Sequence, residues 1–184
     1  MEKNRCCWTN GVEDIYIKYH DEEWGVPVHD DHKLFEMLLL ESFQAGLSWI
    51  TILKKRENFR KAFDNFDVDK IAQYDEKKKE TLRQDAGIIR NRLKIDAAVS
   101  NALIFKEIQK EYGSFDRYLW GYTNNKIIYG KEMVTHSELS DQIALDLKKR
   151  GGKFLGTVII YSFLQATGVV NDHERTCFKY HGHE

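Results

Sequence analysis

The chain has 184 residues, of which 42% are hydrophobic and 31% charged, and its formal net charge is −1. This balance fits one folded domain with a sizeable core and carries no global bias towards nucleic acid. The longest apolar runs, Leu38-Leu39-Leu40 and Val158-Ile159-Ile160, are too short for a bilayer span, and no apolar stretch behind Arg5 resembles a signal peptide. The cytoplasm is therefore the expected compartment, where the three Cys serve as thiols or metal ligands rather than disulfides.

In chain order, the N-terminal segment is crowded with Trp8, Tyr16, Tyr19 and Trp24 and shows little regular structure of its own. From Leu34 to Phe63, apolar positions recur at helical spacing, and Gly46 divides the stretch into two helices. Asp67 to Tyr74 reads as a short helix. Asp75 to Gln84 reads as another, with Asp75 as its N-cap. Asn91 to Tyr112 is long and amphipathic, and Phe115 to Tyr122 is short and aromatic. Asn124 to Glu132 alone has turn-like or strand-like character. Two further helices, Ser140 to Arg150 and Leu155 to Thr167, close the chain. The expected fold class is all-α, with about eight or more helices joined by short loops. The single proline, Pro27, and the lack of any linker or repeat argue for one domain over 1–184.

Several features carry chemistry. Cys6 and His20 near one end, and His173 and Cys177 near the other, form a Cys2His2 set of the kind that binds structural zinc tetrahedrally. A shared ion would fasten one end of the fold to the other. Glu41 lies on the apolar stripe with Leu38 and Ala45, where a carboxylate is costly unless it is paired or serves a pocket. Trp49 follows two helical turns later, so aromatic faces beside this carboxylate can hold a flat cationic ring; the competing use of such aromatics is plain core. Between the last two helices, Gly151-Gly152-Lys153-Phe154-Leu155-Gly156 combines close backbone approach with nearby Lys148, Lys149 and Arg150, which suits a phosphate. Basic clusters at Lys54–Lys61, Arg90–Lys94 and Lys148–Lys153 form one face only if the fold joins them; otherwise they are scattered solvated helix faces.

Four blocks resemble, in order and over nearly the whole chain, the 3-methyladenine DNA glycosylase I family. They are Tyr16 to Pro27, Leu40 to Thr51, Asp85 to Arg92, and Tyr161 to Gln165 continuing through Asn171-Asp172-His173. The resemblance implies a helix–hairpin–helix glycosylase that removes 3-methyladenine from alkylated double-stranded DNA, releasing the free base and leaving an abasic site. It places the zinc ligands on Cys6, His20, His173 and Cys177. Cys7, His181 and His183 are nearby alternatives, and the family's Cys-x-Trp spacing to Trp8 favours Cys6. It makes Glu41 the carboxylate that contacts the base, with Trp49 and Tyr19 stacking on or flanking it. Tyr16, Trp24 and Trp8 complete an aromatic wall, and Ser162 supplies a hydroxyl. Gly46 and Leu47 fall where the family presses a plug into the gap left by a flipped nucleotide. Gly151, Lys153 and Gly156 belong to the DNA-gripping hairpin near 147–167. Gly152 departs from the family's usual aromatic and is expected to loosen that turn. Asp172 ranks behind Glu41 as a catalytic group, and no lysine falls at the pocket positions, which implies a monofunctional enzyme. A monomer is expected. The rival readings are a non-catalytic sensor of alkylated DNA and a zinc-stabilised helical protein without DNA contact.

Overall fold

The computed structural model describes residues 3–130 and 134–180. Among them the α-helices are α1 (Asp14–Glu22), α2 (Asp31–Gln44), α3 (Trp49–Ala62), α4 (Val68–Ile71), α5 (Glu76–Gln84), α6 (Arg92–Tyr112), α7 (Phe115–Gly121), α8 (Glu138–Lys149) and α9 (Thr157–Ala166). Short 3-10 turns occupy Cys7–Thr9 and Asp64–Phe66. Two-residue strands β1 (Ile128–Tyr129) and β2 (Val170–Asn171) pair in parallel, Ile128 opposite Val170 and Tyr129 opposite Asn171.

Local chemistry explains most helix boundaries. Asp30, Asp67, Asp75, Asn91, Ser114 and Ser137 each cap a helix through a side-chain oxygen, satisfying amides that have no intrahelical partner. The break between α2 and α3 falls where Gly46 takes φ +79°, a left-handed conformation that costs glycine little. The expected helix over Asp67 to Tyr74 is confined to Val68–Ile71.

The clearest departure is at the N-terminus. The segment expected to lack regular structure contains α1, which places Tyr16, Tyr19 and His20 at three- and four-residue spacing on one inward side. Its other apolar residues, Ile15 and Ile17, fall outside that side among charged positions, so no clean apolar period announces it; tertiary contact with α3 supplies what the pattern lacks. The parallel β1–β2 pair is a small exception to an otherwise helical architecture.

Helix α2 is buried from Leu34 through Phe43 on every side. It runs between α9, α6, α3 and α7, which is why its sequence is apolar nearly all round. Phe35, Phe43, Phe59, Phe63, Phe105 and Phe115 fill the space between these helices. The same enclosure forces two carboxylates of α2, Glu36 and Glu41, into the interior at 2% exposure each.

Candidate functional site

The Cys and His residues from the two ends converge. The ligand atoms of Cys6, His20, His173 and Cys177 all lie within 4.8 Å of one another, and all four residues are buried. His173 Nδ1 is 3.4 Å from Cys6 Sγ and 3.5 Å from Cys177 Sγ, and His20 Nε2 is 3.5 Å from Cys177 Sγ. A tetrahedral ion with metal–sulfur bonds of about 2.3 Å and metal–nitrogen bonds of about 2.0–2.1 Å needs similar edges. The surroundings fit a cation. His20 Nδ1 is 2.8 Å from Asp21 Oδ1, and Arg5 grips Asp21 with two bonds of 2.9 and 2.8 Å. His173 Nε2 is 3.0 Å from the Trp24 carbonyl. When these nitrogens donate, the other nitrogen of each ring faces the centre with its lone pair. The amides of Glu174 and Lys179 point at Cys6 Sγ and Cys177 Sγ, at 3.4 Å each. Burial pushes the Cys6 thiol up to about 12, and a bound cation is what turns such thiols into thiolates. Cys7 is exposed and turned away. The alternatives His181 and His183 lie outside the described residues.

Next to this centre lies a cavity of about 240 Å³. Trp8, Tyr16, Tyr19, Trp24, Glu41, Trp49 and Ser162 all line it, so the pocket residues expected from sequence share one space. The aromatic rings form a continuous wall. Trp8 sits 4.9 Å from Tyr16 and 5.2 Å from Trp24, and Tyr19 sits 5.5 Å from Trp49. Trp24 in turn lies 4.6 Å from His173, edge to face. One aromatic wall of the pocket therefore rests directly on the Cys/His cluster.

The polar atoms are the chemically telling part. Glu41 Oε2, Gln44 Oε1, Trp49 Nε1 and Asp172 Oδ1 are buried and have no hydrogen-bond partner among the described residues, yet all four residues line this cavity. Leaving buried polar groups unmade costs about 1–3 kcal/mol each, so this clustering marks a place prepared for a polar, ring-shaped guest. Burial alone raises the Glu41 carboxyl well above its ordinary range. Asp172 holds its other oxygen in place differently, accepting from Tyr161 Oη and Gln165 Nε2 at 2.7 Å each. Among the described residues, no lysine lines the cavity.

The loops expected to meet DNA surround the start of α6. Lys94 is buried, and its Nζ donates to the carbonyls of Phe43 (2.8 Å) and Ala45 (2.6 Å), closing the end of α2. Immediately beyond, Gly46 has open space around it and Leu47 is 40% exposed, which is not how a core leucine sits. Further along α6, Asn101 exchanges two 3.0 Å bonds with the backbone of Lys153. Gly151 has φ +98°, and Gly156 begins α9 with no side-chain cap. Gly152 does not slacken the turn as expected. Its amide donates to Leu147 O at 2.8 Å, and a Cβ there would also meet that oxygen at 2.8 Å, so tight packing requires a glycine.

The methyladenine glycosylase family profile matches residues 8–180. The chain belongs to this family. DNA-3-methyladenine glycosylase 1 of Escherichia coli K12 is 47% identical over 98% of both chains. The DNA-3-methyladenine glycosylase of Haemophilus influenzae is 43% identical over 94% of this chain and 96% of its own. Among solved structures, the 3-methyladenine DNA glycosylase I of Staphylococcus aureus superposes with a TM-score of 0.93 at 37% identity, covering 99% of each chain. A tyrosine-to-phenylalanine variant of a 3-methyladenine DNA glycosylase I in complex with 3-methyladenine gives 0.92 at 36% identity, covering 98% of this chain and all of that one.

Within this methyladenine glycosylase pocket, Gln44, Val134, Gln165 and Glu174 are lining residues that the sequence reading missed. Two had a usable signal. Gln44 follows Glu41 by three positions on α2, and Gln165 follows Ser162 by three on α9, so each shares its neighbour's helix face. Glu174 adjoins a metal-ligand candidate and is held by the Cys7 amide at 2.8 Å. Val134 had no signal; it reaches the pocket from the loop after β1.

Proposed function

We propose that this chain is a monofunctional DNA glycosylase that hydrolyses the N-glycosidic bond of 3-methyladenine in alkylated double-stranded DNA. The observation that carries the reading is that four residues with an orphaned buried polar atom line one aromatic cavity. Family membership and relatives that bear this activity in their names support it.

The residues have distinct roles. Extruding a base from the duplex costs roughly a few kcal/mol, and Leu47, with Gly46, fills the gap that is left. The hairpin at Gly151–Gly156, with Lys153, grips the backbone. In the pocket, Trp49 and Tyr19 flank the base, with Tyr16, Trp24 and Trp8 behind them, and Ser162 lies at the edge. N3-alkylation gives adenine a positive charge, which aromatic faces and a carboxylate favour over neutral adenine. Glu41 meets that base. Burial keeps the carboxyl protonated in the empty pocket, whereas a cationic guest supports its ionised form. In the reaction the C1′–N9 bond breaks and its electron pair returns to the ring, cancelling the charge. A water oxygen bonds C1′ and releases one proton. The leaving group therefore needs little protonation, and positioning with electrostatics does most of the work. Among the described residues no lysine lines the pocket, which supports hydrolysis without a Schiff base and without strand cleavage.

The metal is best read as a single structural zinc on Cys6, His20, His173 and Cys177. When bound it neutralises two thiolates and closes the coordination shell. The protein is read as one domain and as a monomer, in keeping with a pocket whose described lining comes from both ends and the middle of a single chain.

Release of free 3-methyladenine from methylated duplex DNA tests the reading. Wild-type protein is expected to release it without strand cleavage. Binding of lesion DNA with no base release would make the chain a sensor instead.

A further inference from the structure

The three basic clusters of the sequence fare differently in the fold. In the first, Arg56 and Arg60 turn inward onto Glu23 and Glu36, and Lys54 pairs with Glu13. In the third, Arg150 is taken by Glu111 and Asp146. In the second, Arg92 lies 3.9 Å from Asp96 and Lys94 turns onto two backbone carbonyls, which leaves Arg90 open. An open groove of about 640 Å³ lies between the middle of α3 and the loop before α6, lined by Lys55, Arg83, Arg90 and Asn91 over a partly apolar floor. Among the described residues, no carboxylate lines it. Arg83 is engaged by Glu80 and Asp96, at 3.2 and 3.1 Å. Among the described residues, neither Lys55 nor Arg90 has a carboxylate partner.

The groove is built rather than incidental. Lys55 Nζ is held at 3.1 and 3.3 Å by the carbonyls of Ala86 and Gly87, which places its charge and leaves a third N–H for a ligand. The loop bearing Arg90 is pinned to α3 by Asn58 Nδ2 on Gly87 O (3.3 Å) and folded on itself by Asp85 Oδ1 accepting from the Gly87 amide (2.7 Å). Its position matters equally. One helical turn after Arg90, Lys94 touches Ala45, directly before Gly46 and Leu47, and lies 5.8 Å from the ring of Phe154 in the hairpin. The groove, the exposed Leu47 and the hairpin thus meet around the first turn of α6.

We propose that this groove holds a second backbone phosphate of the DNA duplex, through Lys55 and Arg90, in addition to the phosphate gripped by the α8–α9 hairpin. The inference rests on the glycosylase reading and names a further contact for the same substrate. An anion-sized, carboxylate-free groove on a chain of net charge −1, beside the point where a nucleotide leaves the stack, fits a polyanion that runs across the surface. A phosphate there steadies the strand while the base is extruded.

The test is the salt dependence of binding to a methylated duplex oligonucleotide. Each phosphate contact contributes a slope of about −0.9 in log K against log salt. Arg90→Ala and Lys55→Gln should each make the slope shallower by about 1 and weaken binding several-fold at low salt. Affinity for free 3-methyladenine, read from tryptophan fluorescence, should be unchanged in both, which also reports that they are folded. Lys110→Ala, at the opposite end of α6, should leave the slope alone. Unchanged slopes in both groove variants, with wild-type base release intact, would overturn the groove and spare the glycosylase reading. Absence of base release by the wild type would overturn that reading and this one with it.

Discussion

Helix α2 carries two glutamates of equal burial and opposite circumstance. Glu36 is met by Arg56 Nε at 2.8 Å, Arg60 Nη2 at 2.9 Å and Lys33 Nζ at 3.3 Å. Burial would raise its carboxyl, yet Arg56, Lys33 and Arg60 hold it below the ordinary range. Glu41, five residues on, has an oxygen with no partner, and burial raises its carboxyl well above that range. A folded protein completes a buried carboxylate when its task is to join helices. It leaves one incomplete when the missing partner arrives from outside.

The largest expected effect lies on the completed side. Arg56→Met removes the guanidinium that Glu36 and Glu23 share, leaving Arg60 and Lys33 on Glu36 and Lys33 on Glu23, and should cost about 3 kcal/mol, measured by urea unfolding. A loss below about 1 kcal/mol would mean the network is ornamental. Glu41→Gln attacks the other side. Base release should fall by at least about 100-fold, or about 2.7 kcal/mol at 25 °C, and undiminished release would end the role proposed for Glu41. Asp21→Asn tests whether the aromatic wall depends on its metal backing. It should weaken metal affinity about 10–100-fold, with looser binding of free base as the secondary effect. A purified, active protein with far less than one zinc per chain would refute the metal reading outright.

The pH dependence of stability separates the two glutamates most finely. Glu36 has a depressed native pKa, so its contribution is complete above the unfolded value, about 4.3, and is lost as pH falls through the native one. Glu41 has a raised native pKa, so the folded state keeps a proton that the unfolded state releases. Stability is then greatest below about 4.3 and declines as pH rises towards the native value. Glu41→Gln should remove the decline on the alkaline side, leaving the protein about 1–2 kcal/mol more stable near neutrality, with its acid loss intact. Urea midpoints across about pH 4 to 8 would show it, and a variant no more stable than wild type would count against an unpaired Glu41.

The same pair shows what was legible in the chain. Glu41 stands out because its neighbours on the helix stripe are apolar. Glu36 is embedded just as deeply in Leu34-Phe35-Glu36-Met37 but drew no notice, because its partners come from α3 and charge pairing across helices leaves no periodic trace. For the same reason Lys54 to Lys61 looked like a surface patch, while two of its arginines point inward. The Cys/His set and the aromatic residues were readable from residue type and from the family blocks. Helix α1, which carries Tyr16 and Tyr19 of that wall, was not, since its stability comes from packing rather than from its own pattern. The β1–β2 pair was half visible, β2 being hidden behind an apolar helix end.

The Cys/His clasp also has a consequence in time. Cys6 leaves the ribosome long before Cys177, and at about 5–20 residues per second the interval is roughly ten to thirty seconds. During that interval α1 can already pack on α3, but His20 and Trp24 lack the partners that His173 and Cys177 later bring. The pocket is thus finished last although its aromatic wall is made first. A chain truncated before His173 should therefore bind free base more weakly than the full chain, because Trp24 loses the ring it rests on.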